Sequence, residues 1–489
     1  MVTRPDSGPP RPNDWSRALE QIRERTRRLG PRRFVVVTDR YPPDSHGGAE
    51  LSLHTMLREI DCRYELLVVT SREVREARAY RLDGVQVLVL PAQGQWPQHR
   101  DNEVTARRTA ALRLDRKHAQ RHIREARNPE LTSLLRAKPP RGGLSLEYMG
   151  VPEGLGAASL RAVLKTCGAE LVHADNYRSI LVAAHAIRGT RARAVGLVRD
   201  NRFHCARHSQ SVYSHGARCG ECDFRCAAED AHEAPELLAV HLDRIARFRR
   251  EALSTMHAVI VTSEYLERSV RPLVPGRPLF RLPNSPDTLE RVRSPVTTTP
   301  QLPGTNLLVV GMLNENKGQL ALVELLPQLA ARIPDVRLHL AGKGTRIAAQ
   351  IHRASHRLGQ EHRVVMHGYL ERDALYELYR ACQIVVLPTV WPEPFGRVPL
   401  EAGLARRPCV AFAVGGLVES IEDGVTGVLI PPGDHEGLVA AIAELARSPA
   451  RQLELGEAAF RHVQATYAID RHASTLPEIW REVIAGKSR

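Results

Sequence analysis

Aromatic residues make up only 5% of this 489-residue chain, and they do not interleave with its basic runs. That leaves no stacking platform for nucleic acid, and no zinc-finger spacing accompanies the basic runs, so nucleic acid is an unfavoured partner. No apolar run approaches the length of a membrane span. The first residues, MVTRPDSGPPRPND, are Pro-rich and polar and lack the hydrophobic region of a secretion signal. They read as a disordered tail, and the expected location is cytoplasmic. The eight cysteines are then expected to be reduced or metal-bound rather than paired. A dinucleotide fingerprint is missing too. Gly342-Lys343-Gly344 follows an apolar run, but the third glycine position holds Ile347, which disfavours an NAD-dependent enzyme.

What is abundant is positive charge. The formal net charge is +14, concentrated near Arg17–Arg33 and Arg100–Arg141. Such runs suit solvated helix faces, an anionic membrane surface or a phosphorylated acceptor. No stretch shows a clean apolar face opposite the basic one, so only peripheral membrane contact is in question.

Short apolar runs alternate with helical stretches throughout, as in parallel sheets covered by helices. Strands are expected at Phe34–Thr38, Glu65–Thr70, Val85–Leu90, Glu170–His173, Ala194–Val198, Val259–Thr262 and Phe280–Leu282. A second set falls at Leu307–Val310, Arg337–Ala341, Arg363–Met366, Ile384–Leu387, Cys409–Phe412 and Gly427–Ile430. Between the sets, Ser294–Gly304 is Pro/Thr-rich and reads as a linker. The expected architecture is α/β: two doubly wound, Rossmann-like domains facing a cleft. The boundaries are 1–30 for a basic extension, 31–290 for the first domain, 291–468 for the second and 469–489 for a final amphipathic helix. Insertions at 100–156 and 202–235 interrupt the first domain.

The segment WPEPFGRVPLEA, Trp391 to Ala402, carries the most chemistry. Glu393 and Glu401 stand eight positions apart around a Pro-Phe-Gly loop, with a strand before it and Pro399 placed to open a helix. Loop amides at Phe395 and Gly396 can point at a phosphate, because a helix N-terminus carries unpaired N–H groups and partial positive charge. A carboxylate beside an anion site suggests a ligand that is also rich in hydroxyls, as a sugar nucleotide is. A plain turn with two surface glutamates is the alternative. After the first strand, TDRYPPDSHGGAE carries the pair Gly47 and Gly48, which lets backbone approach a ligand or makes a tight turn.

Together YPPDSHGGAE, VGMLNENKGQ, LHLAGKGT, VVMHGYL and WPEPFGRVPLEAGLARRPCVAFAVGG resemble family 4 of the retaining glycosyltransferases (glycosyl transferases group 1), which have the GT-B fold. The resemblance covers most of Arg33–Tyr467 outside the insertions. It implies transfer of a hexose-type sugar from a nucleotide-sugar donor, with retention at the anomeric carbon. It places the donor mainly on the second domain and the acceptor on the first, with the last helix packing back on the first. By that resemblance Glu401 meets the ribose, Glu393 a donor-sugar hydroxyl and Lys317 the diphosphate. Gly48, beside Gly47, lies near the phosphates; Phe395 and Gly396 contact the donor. The stretch His367–Tyr369, with Gly368, meets the base through backbone groups. The chain has no D-x-D, the metal clamp common in the other large glycosyltransferase fold, so transfer is expected to need no metal cofactor. The acceptor is open: a glycan, a lipid-linked sugar or a small aglycone.

Two positions depart from the family pattern. Met312 stands where an arginine often contacts phosphate, with Arg397 a candidate substitute. Arg199-Asp200 stands where histidine often precedes an aspartate at the reaction centre. Asp200 is read as facing the acceptor; Arg199 either binds an anionic acceptor or forms an ion pair. The rival readings are a nucleotide-sugar epimerase, a glycan phosphorylase, for which no cofactor motif is visible, and an inactive sugar-nucleotide-binding scaffold.

Cys205, Cys219, Cys222 and Cys226 form C-x13-C-x2-C-x3-C inside the second insertion. Four thiolates suit a structural, tetrahedral zinc, with His204, His208 or His215 able to replace one sulfur. Free thiols in a polar loop are the alternative. Cys62, Cys167, Cys382 and Cys409 sit in or beside apolar stretches and read as core residues.

Overall fold

The computed structural model describes residues 15–43, 48–61, 64–72, 76–91, 155–205, 249–286 and 302–486. The polar start of the chain, Gly47 and most of both insertions and of the proposed linker lie outside the described residues, as do Cys62, Cys219, Cys222, Cys226, His208 and His215.

The first domain is built on an eight-stranded sheet of order β3-β4-β2-β1-β5-β6-β7-β8. Its strands are β1 Phe34–Thr38, β2 Leu66–Arg72, β3 Arg78–Leu82, β4 Val85–Pro91, β5 Leu171–Asp175, β6 Arg193–Val198, β7 Ala258–Val261 and β8 Leu279–Arg281. All pair in parallel except β3, which forms an antiparallel hairpin with β4. Asp83 and Gly84, at φ 46° and 88°, make its two-residue turn, a conformation suited to the twist of paired strands. No apolar run announces β3. It is a largely exposed edge strand carrying Arg78 and Arg81, the polar character that keeps an edge from pairing with other chains.

Helices cover both faces. On one side α1 Trp15–Leu29, α3 Leu155–Cys167 and α4 Tyr177–Ala186 bury Ile22, Leu160, Val163, Ile180 and Leu181. The basic segment near residue 17 is therefore largely a helix packed on α3, with its cations on the exposed side. On the other side α2 Gly48–Asp61 contributes Leu53, Leu57 and Ile60. The end of the chain packs beside it: in Ile469–Ile484, Leu476, Ile479, Trp480 and Val483 sit against Phe34 and Val36. The buried Trp480 Nε1–H donates to His173 Nδ1 at 3.2 Å, and the indole stacks on Phe34 at 5.1 Å. Between β7 and β8 lies α5 Glu264–Val270.

The second domain has a six-stranded, wholly parallel sheet of order β11-β10-β9-β12-β13-β14. The strands are β9 Thr305–Val310, β10 Val336–Ala341, β11 Val364–Gly368, β12 Ile384–Leu387, β13 Cys409–Phe412 and β14 Gly427–Ile430. Its helices are α6 Gln319–Glu324, α7 Leu326–Arg332, α8 Thr345–Arg357, α9 Arg372–Ala381, α10 Val398–Leu404, α11 Leu417–Ser420, α12 His435–Ala446 and α13 Pro449–Thr466; the terminal helix described above is α14. The strand order reverses between β9 and β12, where open α/β sheets leave a crevice beyond the carboxyl ends of their strands. Cys382 and Cys409 are buried here, and Cys167 in the first domain. Among the described residues no helix is long and apolar enough to cross a membrane.

Candidate active site

At the β9/β12 reversal lies an open pocket lined by Val309 and Val310 of β9, Lys317, the end of β12 and Glu393, Gly396 and Arg397. Two loops build it. After β9, Asn314 caps a turn of 3-10 helix, Glu315–Lys317, its side chain accepting from the Lys317 N–H at 3.2 Å. Gly318 follows at φ 72°, and a Cβ there would stand 2.1 Å from the Pro388 carbonyl. Only glycine permits that approach. Thr389 Oγ1–H then donates to Asn316 O at 2.6 Å, stapling the two loops together. The result places Lys317 Nζ in an ion pair with Glu393 Oε2, 5.3 Å from the centre of the Trp391 ring.

The loop from Pro388 ends in α10, with Pro399 and Glu401 both in its first turn. Gly396, at φ 82°, turns the chain into the helix; a Cβ there would meet Leu417 at 2.6 Å. The Phe395 ring points away from the pocket, buried with Leu400, Leu404, Val463 and Tyr467. Glu401 is held at both oxygens. Tyr379 Oη–H donates to Oε2 at 2.9 Å, and Arg397 pairs with Oε1 at 3.3 Å. Tyr379 is buried, and burial first, then the charge of Glu401, pushes its phenol well above the ordinary range. It therefore serves Glu401 as a neutral donor. Arg397 is committed to Glu401 while also lining the pocket, and Met312 is 68% exposed at the end of β9.

At the end of β11, Gly368 (φ 65°) follows a register shift and its carbonyl accepts from Gly342 N–H at 2.7 Å. Tyr369 is half exposed, with Lys343 Nζ 4.4 Å from its ring centre. His367 joins a buried chain that the motif does not announce. Asn306 Nδ2 donates to the Gly304 carbonyl, so its Oδ1 accepts from His339 Nε2 at 2.9 Å, and His339 Nδ1 faces His367 Nε2 at 2.9 Å. Burial, with the His367 charge next, holds His339 down at about 4, so both rings are neutral at pH 7.

On the first domain, Gly48 opens α2 just beyond β1. Arg199 is fully engaged: its Nε donates to Asp175 Oδ1 at 2.6 Å and NH1 to Asn284 Oδ1 at 2.5 Å. Arg199 thus forms an ion pair with Asp175. Asp200 caps the turn Asn201–Phe203, accepting from Arg202 N–H at 3.0 Å and from its guanidinium at 2.6 Å. Cys205 is buried just beyond. Among the described residues no group of three or more His, Cys, Asp or Glu is arranged to hold a metal.

Sequence reasoning missed Tyr379, Thr389 and the His339–Asn306 chain, all of which act through partners distant in sequence.

Residues 301–462 match the family described as Glycosyl transferases group 1, and these residues are the ones that build the pocket. The second domain is a group 1 glycosyl transferase domain. A glycogen synthase of Mycobacterium tuberculosis is 33% identical over 182 residues, covering 37% of this chain. The match spans 43% of that synthase, less than half its length. The whole fold has solved counterparts. Sucrose-phosphate synthase from Thermosynechococcus elongatus superposes with a TM-score of 0.66 at 18% identity, covering 93% of this chain and all (100%) of that one. Anabaena HepE, solved in complex with UDP, gives 0.61 at 18% identity over 92% of this chain and 100% of its own. The glycosyl transferase domain and the domain before it thus share the two-domain GT-B fold expected from the motifs.

Proposed function

We propose that the protein is a retaining glycosyltransferase. It moves a hexose-type sugar from a nucleotide-sugar donor, held on the second domain, to a hydroxyl of an acceptor held on the first. The observation that carries the reading is the pairing of Lys317 with Glu393 in the pocket where the strand order of a glycosyl transferase domain reverses. HepE, of the same fold, binds UDP.

The roles are those that the family resemblance implies, read with charge and position. When a nucleoside diphosphate leaves, the bond between the anomeric carbon and the phosphate oxygen breaks and negative charge grows on phosphate. Lys317 neutralises it; such a preplaced donor contributes about 3–4 kcal/mol. Arriving phosphate competes with Glu393 for that ammonium, which frees the carboxylate for a sugar hydroxyl and for the positive charge developing at the anomeric carbon. Gly396 and the Phe395 and Gly396 amides flank the phosphates, and the Gly47-Gly48 pair is assigned to the same donor contact by its motif. Glu401, preset by Tyr379 and Arg397, takes ribose hydroxyls, and Gly368 and Tyr369 border the base. On the acceptor side stand Arg199 and Asp200. The acceptor hydroxyl forms the new bond on the face the phosphate has left and passes its proton to a phosphate oxygen. Nothing in this scheme calls for a metal cofactor. Separately, Cys205, Cys219, Cys222 and Cys226 have the donor set of a tetrahedral structural zinc site.

Glu393→Gln tests the scheme. The substitution keeps shape and removes charge, so turnover of a bound donor should fall about a hundredfold with donor affinity little changed. Unchanged turnover would remove Glu393 from the chemistry. Conversion of donor to an isomer without acceptor would instead indicate an epimerase.

A further inference from the structure

The tripeptide Pro392-Glu393-Pro394 has a hydrogen-bonding problem built into its sequence. Its two prolines have no N–H to offer a ladder, and both are buried, so their carbonyls need donors from elsewhere. Glu393 O accepts from the Gly416 N–H of its own domain at 2.7 Å. The other two are satisfied from across the cleft. Asn201 Nδ2–H donates to Pro392 O at 3.1 Å, and Ser263 Oγ–H donates to Pro394 O. Asn201 and Ser263 are each fully buried. The Ser263 hydroxyl is directed by a second bond, accepting the Leu266 N–H at 3.1 Å as the cap of α5. One turn away Glu419, on α11, accepts the N–H groups of Glu264 at 2.7 Å and Tyr265 at 3.0 Å, tying the same helix start to the second domain.

We propose that Asn201 and Ser263 are positioning residues for Glu393, fixing its loop only while the two domains are docked. Neither touches the pocket, yet each holds a carbonyl adjoining Glu393 in the chain. Hydrogen bonds fail within a few tenths of an ångström, so separation of the domains releases both flanks at once. Docking would then hold Glu393 in place for the donor sugar and withhold chemistry from an open molecule, as closure does in other two-domain enzymes. This inference rests on the reading of Glu393 as the residue that meets the donor sugar.

Hydrogen–deuterium exchange on the full chain separates the two ideas. In Asn201→Ala and in Ser263→Ala, exchange at the amides of residues 393–397 should rise about tenfold, while the central strands of both sheets exchange as in wild type. Turnover should fall about tenfold with donor affinity within about twofold of wild type, and Ser263→Thr, which keeps the hydroxyl, should restore both. If Asn201→Ala does not fold, the Ser263 pair decides. Wild-type exchange at the loop in a folded variant overturns the proposal. So does a more mobile loop with undiminished turnover. Should the wild type bind no nucleotide sugar, the donor reading fails, and the exchange at residues 393–397 still decides whether the latch exists.

Discussion

Glu401 is oriented in advance, with a buried phenol on one oxygen and a guanidinium on the other. Preorganisation of this kind removes the need to order the carboxylate when a ligand arrives. Tyr379→Phe should therefore weaken donor binding about tenfold without unfolding the domain, read by calorimetric titration. Equal affinity in the variant would mean that Glu401 needs no such support. Arg199 makes a different prediction. Its partner Asp175 is 1% exposed, and Arg199→Ala leaves that carboxylate buried without its cation. The loss should be about 3–5 kcal/mol, measured by denaturant unfolding. At this scale the sequence is only partly informative. Glu393 and Glu401 stand out by their spacing around the Pro-Phe-Gly loop, and Lys317 only through the family resemblance. Tyr379 is invisible, since a tyrosine at a helical period looks like any core aromatic until its oxygen is seen on Glu401.

Elements were the more legible level. A parallel strand buried on both faces appears as an unbroken apolar run, as β12 (IVVL) and β13 (CVAF) do, whereas β10 is broken by an exposed Arg337 and by His339, and the edge strand β11 is only partly buried. The edge strand β3 lacks that signature, and only the Asp83-Gly84 turn betrays it. Two predictions belong here. Gly318→Ala should push the Lys317 turn off the loop after β12, because the new methyl has no room beside the Pro388 carbonyl. Donor binding and turnover should both fall, by about tenfold or more, and wild-type kinetics would mean that the two loops are not coupled. The contact of α14 with the first sheet should depend on pH. Burial, then the charge of Arg199, holds His173 down at about 3, against an ordinary value of 6.5. The unfolded chain therefore takes up a proton that the folded one refuses. Stability is full above about pH 6.5 and falls with acidification towards pH 3, by up to about 1.4 kcal/mol per pH unit. Unfolding measured at pH 7 and pH 5 should show that loss in the wild type and less of it in His173→Gln.

At the scale of the whole molecule, the two domains meet through the loop that carries Glu393. Asn201, Ser263 and the α5 start come from one side; Pro392, Pro394 and Glu419 come from the other. No periodicity predicts such a contact, because its partners are more than a hundred residues apart in the chain. The Cys-rich segment begins at the same place, just after Cys205. Protein purified without added metal should contain about one zinc per chain, lost in Cys222→Ser; metal-free protein handled under reducing conditions would favour free thiols. The central claim, a sugar-nucleotide site on the second domain, is tested most directly by one titration. UDP-, GDP-, ADP- and dTDP-sugars are added in a calorimeter to wild type and to Glu401→Ala. The account predicts one tight donor whose affinity drops about ten- to a hundredfold in the variant. Binding by none of them, or equal binding by both proteins, would contradict it.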